Sequence, residues 1–341
     1  MDTTVLKERV MGKAAERNSE PFRRHLGASQ IGADCLRSVW YNFYWVAKQE
    51  FSGRIHRLFQ KGFEFETRIV AELRACGFNV SDVDDNGDQY RLGEPGLLSG
   101  SCDGYIYLND EWMITEMKTH NEKSFVALEK DGVKESKPQH YTQMQIYMGY
   151  AGLKRALYIA ENKNNSDLHF EIVEYDEAVY HDARNKAFSI RNGGPPEKIS
   201  DKPTFYKCKW CDFSEVCHDD KIPLVNCRTC INFSLDAENK GICGKTGGDV
   251  GELESTGCGD HIYRPDLTPW EVVTGGPDAV IYNNGIANCG RSGFPEVSTD
   301  LEVKALFESY EIFECGEWAR VPVVGIVKAG MSDAHREAGA N

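Results

Sequence analysis

The sequence predicts an α/β domain followed by a small cysteine-rich module. Across residues 26–220, segments of helical periodicity alternate with segments rich in β-branched and aromatic residues. Seven of the twelve cysteines crowd between positions 208 and 258, including two CxxC pairs. At 341 residues the chain can bury a large core and still carry an accessory module.

Taken in order, residues 1–25 read as an N-terminal helical segment. Residues 34–48 and 61–76 read as helices. In the second, Phe65, Ile69 and Leu73 form one four-residue stripe and Gly77 stands as terminator. The stretch GSCDGYIYLNDEWMITEMKT alternates around Asn109-Asp110 and predicts a hairpin. A helix near 138–150 follows, with Pro138 in its first turn. RALYIAEN and HFEIVEY predict strands, and DEAVYHDARNKAFSIR predicts a helix. The turn-rich NGGPPEKISDKP leads into the first cysteine cluster. Residues 221–265 form the cysteine module. Residues 266–341 carry short β-like segments, AVIYNN and VPVVGIV, and then a loose polar tail.

Composition narrows the function classes. With 41% hydrophobic and 27% charged residues the chain is of ordinary globular type. No apolar run reaches membrane-spanning length, and residues 1–24 lack the apolar core of a secretion signal. A cytoplasmic address is expected, where cysteines act as metal ligands rather than disulfides. The net charge of −14 argues against coating nucleic acid by bulk charge, though not against local grip. Residues 1–75 do hold thirteen Lys and Arg against nine Asp and Glu.

The hairpin carries the chemistry. With a two-residue turn at Asn109-Asp110, Leu108 faces Glu111, Ile106 faces Met113 and Asp103 faces Glu116, at roughly 4.5–5.5 Å. Lys118 shares the Glu116 face. Two facing carboxylates repel unless a cation lies between them, and magnesium or manganese is the natural partner for oxygen ligands. Such an ion could polarise a phosphate while Lys118 orients water or stabilises developing charge. Gln143 and Tyr147 are i,i+4 partners placed to support the site, and Glu66 could add a third carboxylate. The bland reading of each is a solvated surface group.

Asp103, twelve residues, Glu116-Met-Lys118 and then Gln143-x-x-x-Tyr147 resemble the PD-(D/E)XK nuclease superfamily in its RecB-like branch. The segment KGFEFE is similar to that branch's first motif, with Glu66 at the metal-ligand position. The nearest likeness is to the exonuclease group that includes CRISPR-associated adaptation nucleases and bacteriophage relatives, over residues 26–220. The resemblance implies a restriction-endonuclease-like core, a central mixed sheet flanked by helices. It implies Glu66, Asp103 and Glu116 as ligands of Mg2+ or Mn2+, Lys118 assisting the nucleophile, and Gln143 and Tyr147 completing the site. Glu66 stands where many members have His, and Cys102 stands in place of the pattern's proline.

The spacing Cys208-x2-Cys211-x5-Cys217 leaves three thiols one ligand short. A local zinc site would borrow His218 or Cys227. The resemblance instead implies a 4Fe-4S cluster that also takes Cys35, clasping the ends of the domain. Cys227, Cys230, Cys243 and Cys258 make a complete thiolate quartet with zinc-ribbon proportions, in which His261 could replace Cys258. Cys76, Cys102, Cys289 and Cys315 read as structural thiols.

The expected function is a metal-dependent DNA exonuclease of phage or bacterial recombination, repair or replication, with DNA as partner, a recombinase or single-strand-binding protein beside it, and no membrane. Arg37, Lys123 and Lys163 are candidate phosphate contacts. His56, His120 and His140 lie near the site without an assigned role. The competing readings are a silent DNA-binding scaffold and, more weakly, an iron–sulfur electron carrier.

Overall fold

The computed structural model describes residues 2–16, 21–292, 303 and 305–321. The chain divides into two units. The first comprises Met1–Phe43, Lys48–Asp201 and Ala237–Asn239; the second comprises Tyr44–Ala47, Lys202–Asp236 and Lys240–Asn341. The predicted VPVVGIV strand and the polar tail lie outside the described residues, apart from Val321.

In the first unit, α1 (Thr3–Ala15) starts at Asp2, whose carboxylate accepts from the Thr4 amide at 2.9 Å. Next come β1 (Leu26–Gly27), α2 (Ala28–Ile31) and α3 (Leu36–Phe43). The helix predicted over 34–48 is thus confined to eight residues, and Trp45 beyond it takes a left-handed φ of 53°. By contrast α4 (Gly53–Ala75) begins eight residues before the predicted start. Gly53 looks like a helix breaker in sequence. It is glycine because α1 packs against it, and a Cβ there would overlap the Met11 carbonyl. The Phe65, Ile69 and Leu73 stripe is buried, and Gly77 ends the helix at φ 89°.

Strands β2 (Asn79–Ser81), β3 (Arg91–Glu94), β4 (Leu98–Ser101), β5 (Tyr105–Leu108) and β6 (Glu111–His120) follow. Then come α5 (Glu122–Ser136), α6 (Pro138–Ala151), β7 (Arg155–Asn162), β8 (Leu168–Glu174) and α7 (Glu177–Asn192). Helix α5 was not foreseen. Asn121 caps it by accepting from the Ser124 amide at 2.9 Å, and Gly132 breaks its regularity at φ 72°.

The main sheet has the order β2-β5-β6-β7-β8. It is mixed: β6 and β7 are parallel and the other neighbours antiparallel. Asn109 and Asp110 take φ of 53° and 63°, as a two-residue turn of matching twist requires, and Leu108↔Glu111 through Tyr105↔Ile114 keep the predicted register. Alternation then sorts the faces. Met113, Met117, Leu157 and Ile159 pack with Phe65, Ile69 and Leu73 of α4 on one side. On the other, Glu116, Lys118 and Tyr158 meet α6, whose Gln143 bonds Glu116 and whose His140 meets Tyr158. Strands β1, β4 and β3 form a second small sheet.

The second unit contains α8 (Ser214–His218), a hairpin of β9 (Phe233–Leu235) and β10 (Gly241–Cys243), and the sheet β11 (Val272–Gly275), β12 (Ala279–Tyr282), β13 (Ile286–Cys289), β14 (Ala305–Phe307), followed by α9 (Ser309–Glu314). Its core gathers Ile262, Tyr263, Val280, Tyr282, Ile286 and Trp318. Among the described residues, no helix is long and apolar enough to cross a membrane.

Candidate functional site

Glu116 sits in the middle of the longest strand of the main sheet and is completely buried. An isolated carboxylate there would be costly, so its neighbours matter. The Lys118 ammonium stands 2.5 Å from Glu116 Oε1 and 3.4 Å from Asp103 Oδ2. Gln143 on α6 donates to Glu116 Oε2 at 3.1 Å, and its amide lies 3.3 Å from the Tyr147 hydroxyl. Tyr147 in turn donates to the Ser101 carbonyl at 2.8 Å, fixing the strand that leads to Asp103. Glu116 Oε1 is held by the Lys118 ammonium and, among the described residues, by no neutral donor.

Asp103 departs from the predicted register. The β5–β6 ladder stops at Tyr105↔Ile114, because Gly104 takes φ 131° and swings the chain away. The Gly104 carbonyl still accepts from Thr115 at 2.9 Å. The Asp103 carboxylate then replaces a main-chain acceptor, receiving the Met117 amide at 2.7 Å. Asp103 and Glu116 therefore reach one site, but through a side-chain link. Alanine at Gly104 would bring a Cβ to 2.6 Å from the Ser81 carbonyl, and at Gly100 to 2.5 Å from Tyr147 Oη.

The charges respond to this crowding. Burial pushes Glu116 upward, opposed by Lys118 and reinforced by Asp103 and Glu66. Glu66, on α4, is raised to about 7 by burial and by Asp103, against the pull of Lys118. Burial would lower Lys118, but Asp103 and Glu116 outweigh it and hold the ammonium charged. Tyr147 is raised by burial and by Glu116. Glu66, Asp103, Glu116, Lys118, Gln143 and Tyr147 thus form one electrostatic unit. Among the described residues, no three His, Cys, Asp or Glu side chains gather closely enough to hold a metal ion as they stand.

Beside this unit lies a buried cluster that the sequence did not disclose as such. Tyr158, directly paired with Glu116 across β6 and β7, has its hydroxyl 2.8 Å from His120 Nε2 and 2.8 Å from His140 Nδ1. Burial, and then the nearby cations Lys137 and Lys163, lower His120 to about 4. Burial and Lys118 lower His140 to about 3. Both imidazoles are therefore neutral. The histidines were visible in sequence, but Tyr158 had no signal marking it as their partner.

The remaining candidates are dispersed. Arg37 is turned inward, donating to the Pro196 carbonyl at 2.6 Å and lying against Tyr41. Lys123 is exposed in the first turn of α5, and Lys163 follows β7. His56 is buried between Phe51 and Phe59. Cys35 belongs to the first unit and Cys208, Cys211 and Cys217 to the second.

In the second unit, Cys227, Cys230, Cys243 and Cys258 line one cavity of about 60 Å³ together with His261. Burial and the neighbouring thiols push Cys227 up to about 12, and its Sγ donates to the Leu253 carbonyl at 3.2 Å. At Cys243, burial is outweighed by hydrogen bonds from the Thr246 region and by Lys245, so its thiol is lowered. His261 is almost wholly buried and its Nδ1 has no hydrogen-bond partner.

No protein-family model matches the chain, and no curated protein matches it in sequence. In structure the chain is similar to the alkaline exonuclease LHK-Exo from Laribacter hongkongensis, at 15% identity and a TM-score of 0.38, over 52% of this chain and 90% of that one. It is similar to SSO0001 at 16% identity and a TM-score of 0.37, over 62% and 96%. The LHK-Exo complex with dAMP gives 15% identity, a TM-score of 0.36, and coverage of 54% and 90%.

Proposed function

We propose that the first unit is a divalent-metal-dependent deoxyribonuclease, hydrolysing phosphodiester bonds and working from DNA ends. One observation carries the reading: a fully buried Glu116 carboxylate and the Asp103 carboxylate meet at one ammonium, Lys118, 2.5 Å and 3.4 Å away. A carboxylate kept in that state is suited to a cation. The donor set fits a hard ion, since Glu66, Asp103 and Glu116 all offer oxygen. Those three residues would hold Mg2+ or Mn2+, which when bound supplies Lewis acidity toward a phosphate oxygen and acidifies a bound water.

The chain's own groups do the rest. Gln143 orients Glu116 by donating to Oε2, leaving Oε1 on the side of the Lys118 ammonium. The Met117 amide holds Asp103, so that both carboxylates stay fixed while substrate enters. Lys118, kept charged by the acids around it, would donate to a phosphate oxygen as negative charge builds there. Tyr147 anchors the carbonyl of Ser101 and thereby the segment that presents Asp103.

Beyond this site, the proposal includes two cysteine centres. Cys227, Cys230 and Cys243 with Cys258 or His261 would bind structural Zn2+; the shared cavity and the orphaned His261 nitrogen support this. Cys35, Cys208, Cys211 and Cys217 would ligate a 4Fe-4S cluster, a reading that rests on their spacing. DNA is the proposed partner, together with a recombinase or single-strand-binding protein. The setting we propose is phage or bacterial DNA recombination, repair or replication, in the cytoplasm.

The test is digestion of end-labelled linear DNA and closed circular DNA, single- and double-stranded, with Mg2+ or Mn2+. Linear DNA should be degraded and circles spared. Cutting of circles removes the exonuclease assignment, and no cutting of any DNA removes the nuclease assignment.

A further inference from the structure

On the α4 side of the main sheet, a cleft of about 180 Å³ opens at the ends of β6 and β7. Lys61, Phe65 and Arg68 of α4 line it, with Thr119 of β6, Glu161 of β7 and Lys163 just beyond. Glu64 lines it as well, so three cations stand against two carboxylates and the cleft keeps one net positive charge. Arg68 is committed to Glu161 and, at 3.5 Å, to Glu72. Lys61 and Lys163 have no ion-pair or side-chain hydrogen-bond partner among the described residues. Burial first, and then repulsion by Lys61, lowers the Lys163 ammonium. Two cations that weaken each other across a solvent-filled cleft are relieved by a shared anion.

Thr119 follows Lys118 on β6 but points to the opposite face of the sheet, so the cleft opens on the α4 side while Glu116 and Lys118 face α6. Helix α4 carries Glu66 as well as Lys61 and Arg68 and so links the two places. The volume equals that of about six waters, enough for a phosphate group.

We propose that this cleft is a phosphate subsite, in which Lys61 and Lys163 hold a backbone phosphodiester of the DNA away from the reacting one. Arg68, locked by Glu161, forms its wall and gives it shape. The inference rests on the nuclease reading above. It implies no sequence preference, because phosphate contacts carry no base information.

The test compares the wild-type chain, Lys61→Gln/Lys163→Gln and a charge-matched control, Lys130→Gln/Lys186→Gln, whose lysines, one exposed and one half-buried, pair with Asp131 and Asp182. Binding of a labelled DNA duplex is measured without metal across a KCl series, and kcat and KM with Mg2+. The cleft variant should flatten the slope of log K against log salt by about one and raise KM about 3–10-fold at unchanged kcat. The control should stay at wild-type values. A single methylphosphonate moved along the strand should weaken wild-type binding at one internal linkage and have no such effect in the cleft variant. An unchanged slope in the cleft variant, an equal change in the control, or no sensitive linkage overturns the subsite while cutting persists. Wild-type protein that neither binds nor cuts DNA overturns the nuclease reading and the subsite together.

Discussion

Lys118 is the residue on which the site balances. Its ammonium is the cation nearest to the buried Glu116 and also touches Asp103. Lys118→Ala should slow DNA cleavage at least about 100-fold and destabilise the metal-free protein by about 3–5 kcal/mol, because an uncompensated buried charge remains. Millimolar Mg2+ or Mn2+ should restore more of the melting temperature in this variant than it adds to wild type. Equal metal shifts in thermal melts would count against Glu116 as a cation site. The histidines give a second residue-scale expectation. His120 and His140 are depressed to about 4 and about 3, below the usual 6.5. Their stabilising contribution is complete above pH 6.5 and is lost as pH falls toward those values, because the unfolded chain then binds more protons. Each contributes a slope of about 1.4 kcal/mol per pH unit in that window. Glu66 and Glu116, raised in the fold, act in the opposite sense: their contribution is present at low pH and fades as pH rises through their folded values. Denaturant melts of His140→Gln against wild type isolate the histidine share, and the difference should grow in the variant's favour as pH drops from 6.5 to 4.

At the scale of elements, close backbone approach decides which residues can form the site. Helix α6 presents His140, Gln143 and Tyr147 on one face, and Gly100 of β4 admits Tyr147 because it has no Cβ. Gly100→Ala should cost about 1–3 kcal/mol, and much of that cost should vanish in a Tyr147→Phe background, where the clashing oxygen is gone. A double-mutant cycle by chemical denaturation measures the coupling, expected at about 1 kcal/mol. Gly104→Ala should be worse for function than for stability, since it displaces the segment that aims Asp103. The hairpin register was legible in sequence because Asn109-Asp110 fixes it locally. The pairing of Glu116 with Tyr158 was not, because a parallel ladder has no turn to read. Helix α5 escaped for a related reason: its polar sequence and Gly132 carry weak periodicity, and tertiary packing of Phe125, Leu128 and Val133 supplies what propensity lacks.

At the scale of the whole molecule, the cysteine cavity of the second unit is where a bound ion is expected to add stability. Four thiols around about 60 Å³ form a poor core by themselves, and a bound ion would replace missing apolar packing. Chelation should lower the melting temperature of the chain, and Cys227→Ser should reduce bound zinc by one equivalent by elemental analysis. Retention of full zinc by Cys258→Ser would assign His261 as the fourth ligand. Anaerobic purification bears on the other quartet: visible absorption lost in Cys35→Ser supports the iron–sulfur reading, and a colourless protein removes it.

The sequence by itself determined the α/β alternation, the hairpin register from Tyr105 to Ile114 and the types of residue able to do phosphate chemistry. Each of these follows from local rules, the strand period of two, the helical stripe and the turn that Asn109-Asp110 permits. Only the tertiary structure decided how Asp103 reaches Glu116, where Lys118 rests, and which partner the histidines share. Those depend on a glycine that breaks the ladder, on burial that sets charge, and on a parallel strand pairing without a local code.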